Sequence, residues 1–182
     1  EKTGISNANE YLLENAYYIL TPTESVPKDR VAHLKSLISE IKAIPLVIAC
    51  EEHDHATAAI SHLPHIIASS LVNLVQKSDS EEGLMKTMAA GGFKDITRIA
   101  SSSPIMWQQI CLTNTDNIKN LLDRYIADLC HVREELEQKD ALALYNFFDQ
   151  ARIYRDSFSS TSRGPIMPSY NISIEIPDKA GA

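Results

Sequence analysis

The stretch "HDHATAAISHLPHIIASSLVNLV", residues 53–75, decides the fold class of this chain because it combines a helical stripe with a histidine cluster. Its apolar side chains recur every three or four residues, at Ile60, Leu63, Ile67, Leu71, Leu74 and Val75. That spacing is typical of an amphipathic α-helix. The same stretch holds four of the six histidines of the chain, namely His53, His55, His62 and His65. It therefore predicts a helix that carries titratable side chains.

Helical periodicity continues from residue 51 to about residue 158. Ser103 followed by Pro104 indicates a helix start, since serine caps free N–H groups and proline suits the first turn. Farther on, six side chains form what we call the heptad seam: Ile118, Leu122, Tyr125, Leu129, Val132 and Leu136. Such a seam packs against another helix, which either the same chain or a second copy can supply. We favour a homodimer.

Shorter elements flank the helical region. The apolar runs "AYYIL" at 16–20 and "PLVIAC" at 45–50, with helical spacing between them, predict a parallel strand–helix–strand unit. After the helices, "SSTSRGP" has the composition of a linker, and "YNISIEIP" at 170–177 alternates as a half-buried strand does. The sequence thus predicts a mainly α chain. Because it opens without Met and its last strand has no partner strand, we expect a piece of a longer protein.

Composition excludes several classes of function. The net charge is −7, and no run of lysines and arginines occurs, so nucleic acid is not an expected partner. The three cysteines are far apart, which suggests neither a disulfide framework nor a zinc ribbon and fits a reducing cytoplasm. No apolar run reaches the roughly twenty residues that a bilayer requires, and no signal-peptide pattern opens the chain. We expect a cytoplasmic protein without a membrane partner.

The histidine cluster allows more than one interpretation. His62 and His65 are three residues apart, which is compatible with a metal site on a helix. However, Pro64 lies between them and must either start or kink the helix, and no third ligand is indicated. Half-buried histidines that bond to backbone are commoner than metal ligands. We expect no metal.

A second unusual stretch is "GGFKDITRIASSSPIMW", residues 91–107. Its two glycines are expected to break the preceding helix. Lys94, Asp95 and Arg98 can then share one face of the next helix, and we call these three residues the charged tip. The guanidinium fork of arginine is a natural clamp for a carboxylate. From this stretch alone, a surface network of ion pairs is the favoured interpretation.

These motifs together resemble the prephenate dehydrogenase family. "HDHATAAISHLPHIIASSLV", followed about thirty residues later by "GGFKDITRIASSSPIMWQQI", is similar to the helical domain of that family. The start "EKTGI" resembles the continuation of its His-Pro-x-Ala-Gly-(Ser/Thr)-Glu-Lys-(Ser/Thr)-Gly segment. The resemblance covers roughly residues 1–158, and "YNISIEIPDKAGA" resembles the first strand and turn of an ACT regulatory domain.

The resemblance implies a domain order. Residues 1–50 would be the end of a Rossmann-like nucleotide-binding α/β domain, and 51–158 a helical dimerisation and substrate-binding domain. Residues 159–169 would be a linker, and 170–182 the first strand and turn of a truncated ACT domain. The active site would lie in the cleft between the first two domains. The glycine-rich NAD (or NADP) fingerprint and the catalytic histidine would lie upstream, so we expect no catalytic residue and no bound cofactor in this chain.

The resemblance also assigns site residues. Arg98 would bind a substrate carboxylate, and His65 would hydrogen-bond the substrate's side chain. His62 would support His65, and Trp107 would wall the pocket. Glu1, Lys94 and Asp95 would form a gating or ion-pair network. The implied reaction is NAD-dependent oxidative decarboxylation of prephenate to 4-hydroxyphenylpyruvate in tyrosine biosynthesis, with L-tyrosine as feedback inhibitor.

Three alternatives stay open on the sequence. The first alternative is that the substrate is arogenate, which carries an amine in place of the keto group of prephenate. The second is that the chain is a dimerisation module that binds tyrosine and does no chemistry. The third is that the histidine cluster belongs to a metal-dependent hydrolase, which would require bound zinc. A Gly-rich fingerprint in the parent protein would favour the dehydrogenase.

Overall fold

The computed structural model describes residues 5, 8–9 and 11–158. The described part of the chain is mainly α-helical, as predicted. It divides into two compact units: one contains the two strands and the helix between them, and the other contains Ile48–Arg155 together with Thr21–Thr23. The predicted linker at 159–169 and the predicted ACT strand at 170–182 lie outside the described residues.

The first unit is a strand–helix–strand step, which confirms the prediction for this region. Strand β1 (Tyr17–Leu20) and strand β2 (Ile44–Val47) pair in parallel, with Tyr17 opposite Ile44, and helix α1 (Lys28–Glu40) connects them. A parallel pair needs such a crossover because a tight turn cannot join strands that run in the same direction. Ile38 of α1 and Ala43 before β2 are the buried apolar residues of this unit.

The second unit consists of helices. Their bounds are α2 (Cys50–Thr57), a π-helical segment (Ala58–His62), α3 (Leu63–Ser78), α4 (Leu84–Met88), α5 (Gly91–Thr97), a 3-10 segment (Arg98–Ser101), α6 (Pro104–Thr113), α7 (Thr115–Gln138) and α8 (Ala141–Asp156). The helical period predicted from residue 51 onward is confirmed. The long helix made of α2, the π-helical segment and α3 contacts α5, the 3-10 segment and α7, and so lies at the centre of this unit.

Pro64 explains the π-helical segment. Proline has no N–H to bond the carbonyl four residues earlier, and its ring clashes with that carbonyl. Just before Pro64 the helix is wider than an α-helix, because the N–H of Leu63 bonds the carbonyl of Ala58, five residues earlier and not four. The helix therefore continues through Pro64, and π-helical segments of this kind often occur at functional sites.

Small residues let the helices of this unit approach closely. Ala58 is fully buried in the π-helical segment and Ala68 nearly so in α3, while Ile118 of α7 is 5% exposed. The π-helical segment packs against α7, and α3 packs against α5 and the 3-10 segment. These packings fix the positions of the side chains on α3 and of the segments that face it.

Helix α7 carries the heptad seam on a single uninterrupted helix of 24 residues. Its first member, Ile118, is buried, but Leu129 and Leu136 are 47% and 58% exposed. The seam is thus covered at its start by the chain itself and uncovered toward its end. Uncovered leucines at heptad spacing are typical of a face that packs against another helix.

The helical run Cys50–Ser78 is, among the described residues, the one that is long and apolar enough to cross a membrane by length and composition. Core helices of water-soluble proteins pass the same criterion, so the finding is weak evidence for a span. The run also carries the histidine cluster and contacts three other elements of its unit, namely α5, the 3-10 segment and α7. That no segment enters a membrane stays a prediction.

Candidate active site

Three aromatic rings meet where α3 faces α6. The rings of His65 and Trp107 stack with their centroids 3.6 Å apart and their planes 25° apart. His62 presents its edge to the same indole at a centroid distance of 6.1 Å. We call these three residues the aromatic stack. The structure thus brings together three of the residues that the family resemblance assigned to substrate binding.

Local sequence explains why Trp107 reaches this position. Ser103 begins α6 and accepts a hydrogen bond from the N–H of Met106, and Pro104 occupies the first turn, as predicted. The capped start fixes the direction of α6, and Trp107 lies one turn into it. His62 ends the π-helical segment, and His65 follows in the first turn of α3.

His65 is held by its own helix. Its Nδ1 lies 2.9 Å from the carbonyl oxygen of Ser61, which can only accept, so Nδ1 carries a proton. Its Nε2 is buried and has no hydrogen-bond partner, and the same holds for Nε1 of Trp107. Buried polar groups without a partner are rare and costly in proteins. Two of them in one stack leave its hydrogen bonding incomplete.

His62 is held from another helix. Its Nδ1 lies 3.3 Å from Nδ2 of Asn114, and that amide nitrogen also donates to the carbonyl oxygen of Asp54 at 2.7 Å. Removal of His62 from solvent lowers its pKa below the ordinary value, and the nearby His65 and His53 lower it further, although the carboxylate of Asp54 opposes them. His62 is therefore neutral near pH 7.

A cavity of about 310 Å³ lies beside the stack. Its lining residues are His65, Ile66, Ser69, Ser70, Asn73, Pro104, Trp107, Gln108 and Cys111. This volume is at the lower end of the range of small-molecule sites, and the mixture of aromatic, aliphatic and hydroxyl groups is typical of them. The cavity suits a small ring compound with a few polar groups.

The charged tip differs from the stack. Lys94 and Asp95 lie on α5, and Arg98 begins the 3-10 segment; all three are exposed. Within the described part of the chain their side chains form no ion pair or hydrogen bond, so the surface ion-pair network that the stretch alone favoured does not form there. Arg98 is not among the residues that line the cavity. The 3-10 segment nevertheless packs on α3, the helix of His65.

The predicted roles of the tip stay predictions. Arg98 is exposed and does not line the cavity beside His65, so a pocket shared by these two residues stays a prediction. Glu1, the predicted ion-pair partner of Lys94 and Asp95, lies outside the described residues.

The two remaining histidines of the cluster, His53 and His55, are not part of the aromatic stack. His53 contacts the carboxylate of Asp54 at 3.0 Å, and His55 is exposed. Among the described residues, no group of three or more histidine, cysteine, aspartate or glutamate side chains could hold a metal ion.

Sequence reasoning missed Asn114 and Asn117. Asn117 donates to Oδ1 of Asn114 at 2.9 Å, and Asn114 reaches His62 across 52 positions of sequence. The available signal was an asparagine directly before a long helix, which ordinarily indicates a helix cap. The side chain of Asn114 makes no cap hydrogen bond to α7 and turns to the histidine instead.

Known protein families match both units. The family model described as prephenate dehydrogenase, dimerization domain, matches residues 49–150, and the one described as prephenate dehydrogenase, nucleotide-binding domain, matches residues 1–47. Prephenate dehydrogenase of Bacillus subtilis (strain 168) is 43% identical over 180 residues, which are 99% of this chain and 48% of that relative. The chain spans about half the length of the curated relatives it matches.

Solved structures agree with these matches. The crystal structure of prephenate dehydrogenase from A. aeolicus in complex with hydroxyphenyl propionate and NAD+ has a TM-score of 0.80 at 31% identity, over 86% of this chain and 55% of that chain. Synechocystis arogenate dehydrogenase has a TM-score of 0.76 at 27% identity, over 84% of this chain and 56% of that chain. The names of these relatives thus include two substrates.

Proposed function

Because this chain belongs to the prephenate dehydrogenase family, a family of NAD-dependent oxidoreductases, we propose that it is part of an enzyme that converts prephenate to 4-hydroxyphenylpyruvate in tyrosine biosynthesis. The chain supplies substrate-binding residues and the surface through which two copies associate. The observation that carries this proposal is the cavity beside the aromatic stack, where two buried polar atoms lack a partner. We place the enzyme in the cytoplasm, in keeping with its three free cysteines.

The chemistry sets the requirements. Prephenate is a cyclohexadienol that carries a ring carboxylate and a pyruvyl side chain. Hydride leaves the carbinol carbon while a base takes the hydroxyl proton, and loss of carbon dioxide makes the ring aromatic. The protein must supply a hydride acceptor, a base, and groups that hold two carboxylates without preventing the departure of one.

The residues of this chain do not fit the dinucleotide by themselves. The parallel step of β1, α1 and β2 matches the nucleotide-binding family model, yet none of the six glycines lies in a Gly-x-Gly-x-x-Gly turn. That turn is what brings backbone N–H groups to a pyrophosphate. We therefore propose that both the hydride acceptor and the base belong to the whole protein outside residues 1–182.

The chain's own residues account for orientation of the substrate. The stacked rings of His65 and Trp107 offer a flat wall, and their unpartnered nitrogens offer hydrogen bonds beside it. Arg98 supplies the permanent positive charge that a carboxylate needs and is not tied to any carboxylate of the described chain. Lys94 and Asp95 lie on the same charged tip, and we propose for them the gating role that the family resemblance implies.

Arogenate is the second candidate substrate, because Synechocystis arogenate dehydrogenase shares the fold over 84% of this chain. Arogenate differs from prephenate by an ammonium in place of the keto oxygen, which replaces a hydrogen-bond acceptor by a donor. A single polar side chain in the cavity can discriminate the two, since a buried group facing the wrong partner loses its hydrogen bond.

The test is to express the complete reading frame that contains this chain and to follow NADH formation with prephenate and with arogenate in parallel. We expect NADH with prephenate, and a reduced rate when L-tyrosine is added. His55→Ala, an exposed change on α2, is the matched control and should leave the rate unchanged. Absence of NADH with both substrates would refute the proposal, and a preference for arogenate would establish the second candidate.

A further inference from the structure

Asn114 occupies the position of a helix cap without acting as one. It directly precedes α7, where an asparagine side chain ordinarily accepts a hydrogen bond from the first free N–H groups of the helix. Here the side chain makes no such bond. Its amide nitrogen reaches the carbonyl oxygen of Asp54 and the ring of His62, and its oxygen accepts from Asn117. The side chain of Asn114 therefore does not stabilise the start of α7 as a cap and contacts the site instead.

The orientation of this amide follows from its neighbours. The carbonyl oxygen of Asp54 can only accept a hydrogen bond, so the group 2.7 Å from it is the NH₂ and not the oxygen of Asn114. The bond that Asn117 donates to Oδ1 of Asn114 requires the same orientation. An NH₂ group can only donate, and therefore Nδ1 of neutral His62 accepts and its proton lies on Nε2.

His65 is held in the opposite tautomer. The carbonyl of Ser61 requires the proton of His65 on Nδ1, which leaves Nε2 as an acceptor in the neutral ring. Two histidines one helical turn apart thus have opposite hydrogen-bonding character at Nε2. One is a donor and the other an acceptor.

We propose that Asn114 is a positioning residue of the substrate site, which fixes His62 as an Nε2–H donor while Ser61 fixes His65 as an Nε2 acceptor. The inference rests on the proposed function insofar as it concerns substrate. A ligand group that reaches Nε2 of neutral His65 must carry a hydrogen, as a hydroxyl or an ammonium does. A keto oxygen or a carboxylate at the same place requires a second proton on that ring.

The direct test is nitrogen NMR of the imidazole rings in the 182-residue chain above pH 7, where an unprotonated ring nitrogen resonates far downfield of a protonated one. We expect the downfield nitrogen to be Nδ1 in His62 and Nε2 in His65. The same tautomer in both rings would overturn the proposal. This measurement needs no substrate, so its outcome is independent of whether the complete protein oxidises prephenate.

Variants separate positioning from mere packing. Asn114→Leu keeps the approximate volume and removes the donor, so His62 should become a mixture of tautomers while His65 stays unchanged. Asn114→Asp places an acceptor at Nδ1 and should move the proton of His62 to that nitrogen. The matched control is Thr115→Val, because the hydroxyl of Thr115 donates to the carbonyls of Cys111 and Leu112 at the end of α6 and, within the described part of the chain, forms no hydrogen bond with either histidine. It should leave both tautomers as they are.

Activity of the complete protein supplies the second readout. Asn114→Leu should lower kcat/KM for prephenate about five- to tenfold, the effect of one misdirected hydrogen bond, whereas Thr115→Val should not. If the tautomer of His62 is the same in Asn114→Leu as in the unchanged chain, Asn114 does not position it and the proposal fails. If the tautomer changes but kcat/KM does not, the role in substrate binding fails.

Discussion

The aromatic stack includes His65 of α3, and the charged tip lies on segments that pack against α3, yet the two regions are built in opposite ways. In the stack, the ring of His65 donates a hydrogen bond to the carbonyl of Ser61, the ring of His62 accepts one from Asn114, and Trp107 stacks on His65, so the rings are held before any ligand arrives. In the tip, three charged side chains are exposed, and none pairs with another within the described chain. One region is preorganised, and the other is not.

The difference teaches where the missing partners belong. Buried polar atoms in the stack lack a partner although the rings are fixed, so in the proposed site the missing partner is a small ligand in the cavity. Exposed charges in the tip interact weakly until water is excluded, so they gain strength only when a ligand or another surface covers them. In the stack, preorganisation lowers the entropic cost of binding. In the tip, electrostatic attraction to a ligand or another surface favours binding.

Disrupting the association of two copies should have the largest effect. Leu129→Glu combined with Leu136→Glu puts charges on the uncovered end of the heptad seam. In a two-fold interface each charge occurs twice, so we expect dimer affinity to fall at least about a thousandfold, while the helical signal of the separate chain is retained. Sedimentation at micromolar concentration measures this.

The matched control is Asn120→Glu combined with Gln138→Glu, two exposed changes on α7 outside the seam that together add the same charge. It should sediment as the unchanged chain does. A dimer that survives the double substitution would show that the seam is not the interface. If the tip is completed by the second copy, the double variant of the complete protein should also bind prephenate more weakly.

Arg98→Ala is the next largest expected effect. If Arg98 holds a carboxylate, its loss removes a charge-assisted hydrogen bond worth about 1.5–3 kcal/mol, and KM for prephenate should rise about ten- to a hundredfold. Arg98→Lys should rescue only part, because the two-pronged fork is lost. Since Arg98 is exposed and unpaired in the described chain, Tm should not change. An unchanged KM would show that Arg98 does not bind the substrate and that the aromatic stack forms the site without it.

Much of the fold could be predicted because its signals are local. The period of the stripe from Ile60 to Val75, the Ser103–Pro104 start and the two apolar runs that form β1 and β2 each depend on neighbours within a few positions. Pro64 was expected to start or kink the helix, and it lies in the first turn of α3, directly after the π-helical segment. The form that the helix takes before Pro64 depends on the packing of Ala58 against α7, and a local sequence pattern holds no information about that packing.

The site was predictable only in part, for the same reason. His62, His65 and Trp107 were named by family resemblance, and the structure brings them together. Asn114 was missed because its role depends on a contact between α7 and the π-helical segment, far apart in sequence. Opposite tautomers of two histidines follow from which carbonyl or amide each ring meets, and a sequence does not contain that information.

Trp107→Ala should have a smaller effect on binding than Arg98→Ala but a larger one on stability. The indole stacks on His65 and lines the cavity, so its removal should destabilise the chain by about 2 kcal/mol and raise KM several-fold. His65→Asn should weaken binding less than Arg98→Ala and change stability less than Trp107→Ala. Thermal unfolding and initial rates on the same samples separate the two effects, and a Trp107→Ala variant with unchanged Tm would contradict a preformed stack.

The smallest expected effect is on acid stability, and it comes from His62. Because burial lowers the pKa of His62 in the folded chain, the unfolded chain takes up this proton first as pH falls. The contribution of neutral His62 is thus complete above its ordinary pKa and declines as pH falls below that value toward the lowered one. Protonation also puts a hydrogen on Nδ1 and opposes the NH₂ of Asn114. His62→Gln keeps an acceptor for that NH₂ and does not titrate, so between pH 7 and pH 5 its Tm should fall less than that of the unchanged chain. Parallel Tm curves would mean that His62 is protonated equally in both states, and the stack would then be less shielded from solvent than its contacts indicate.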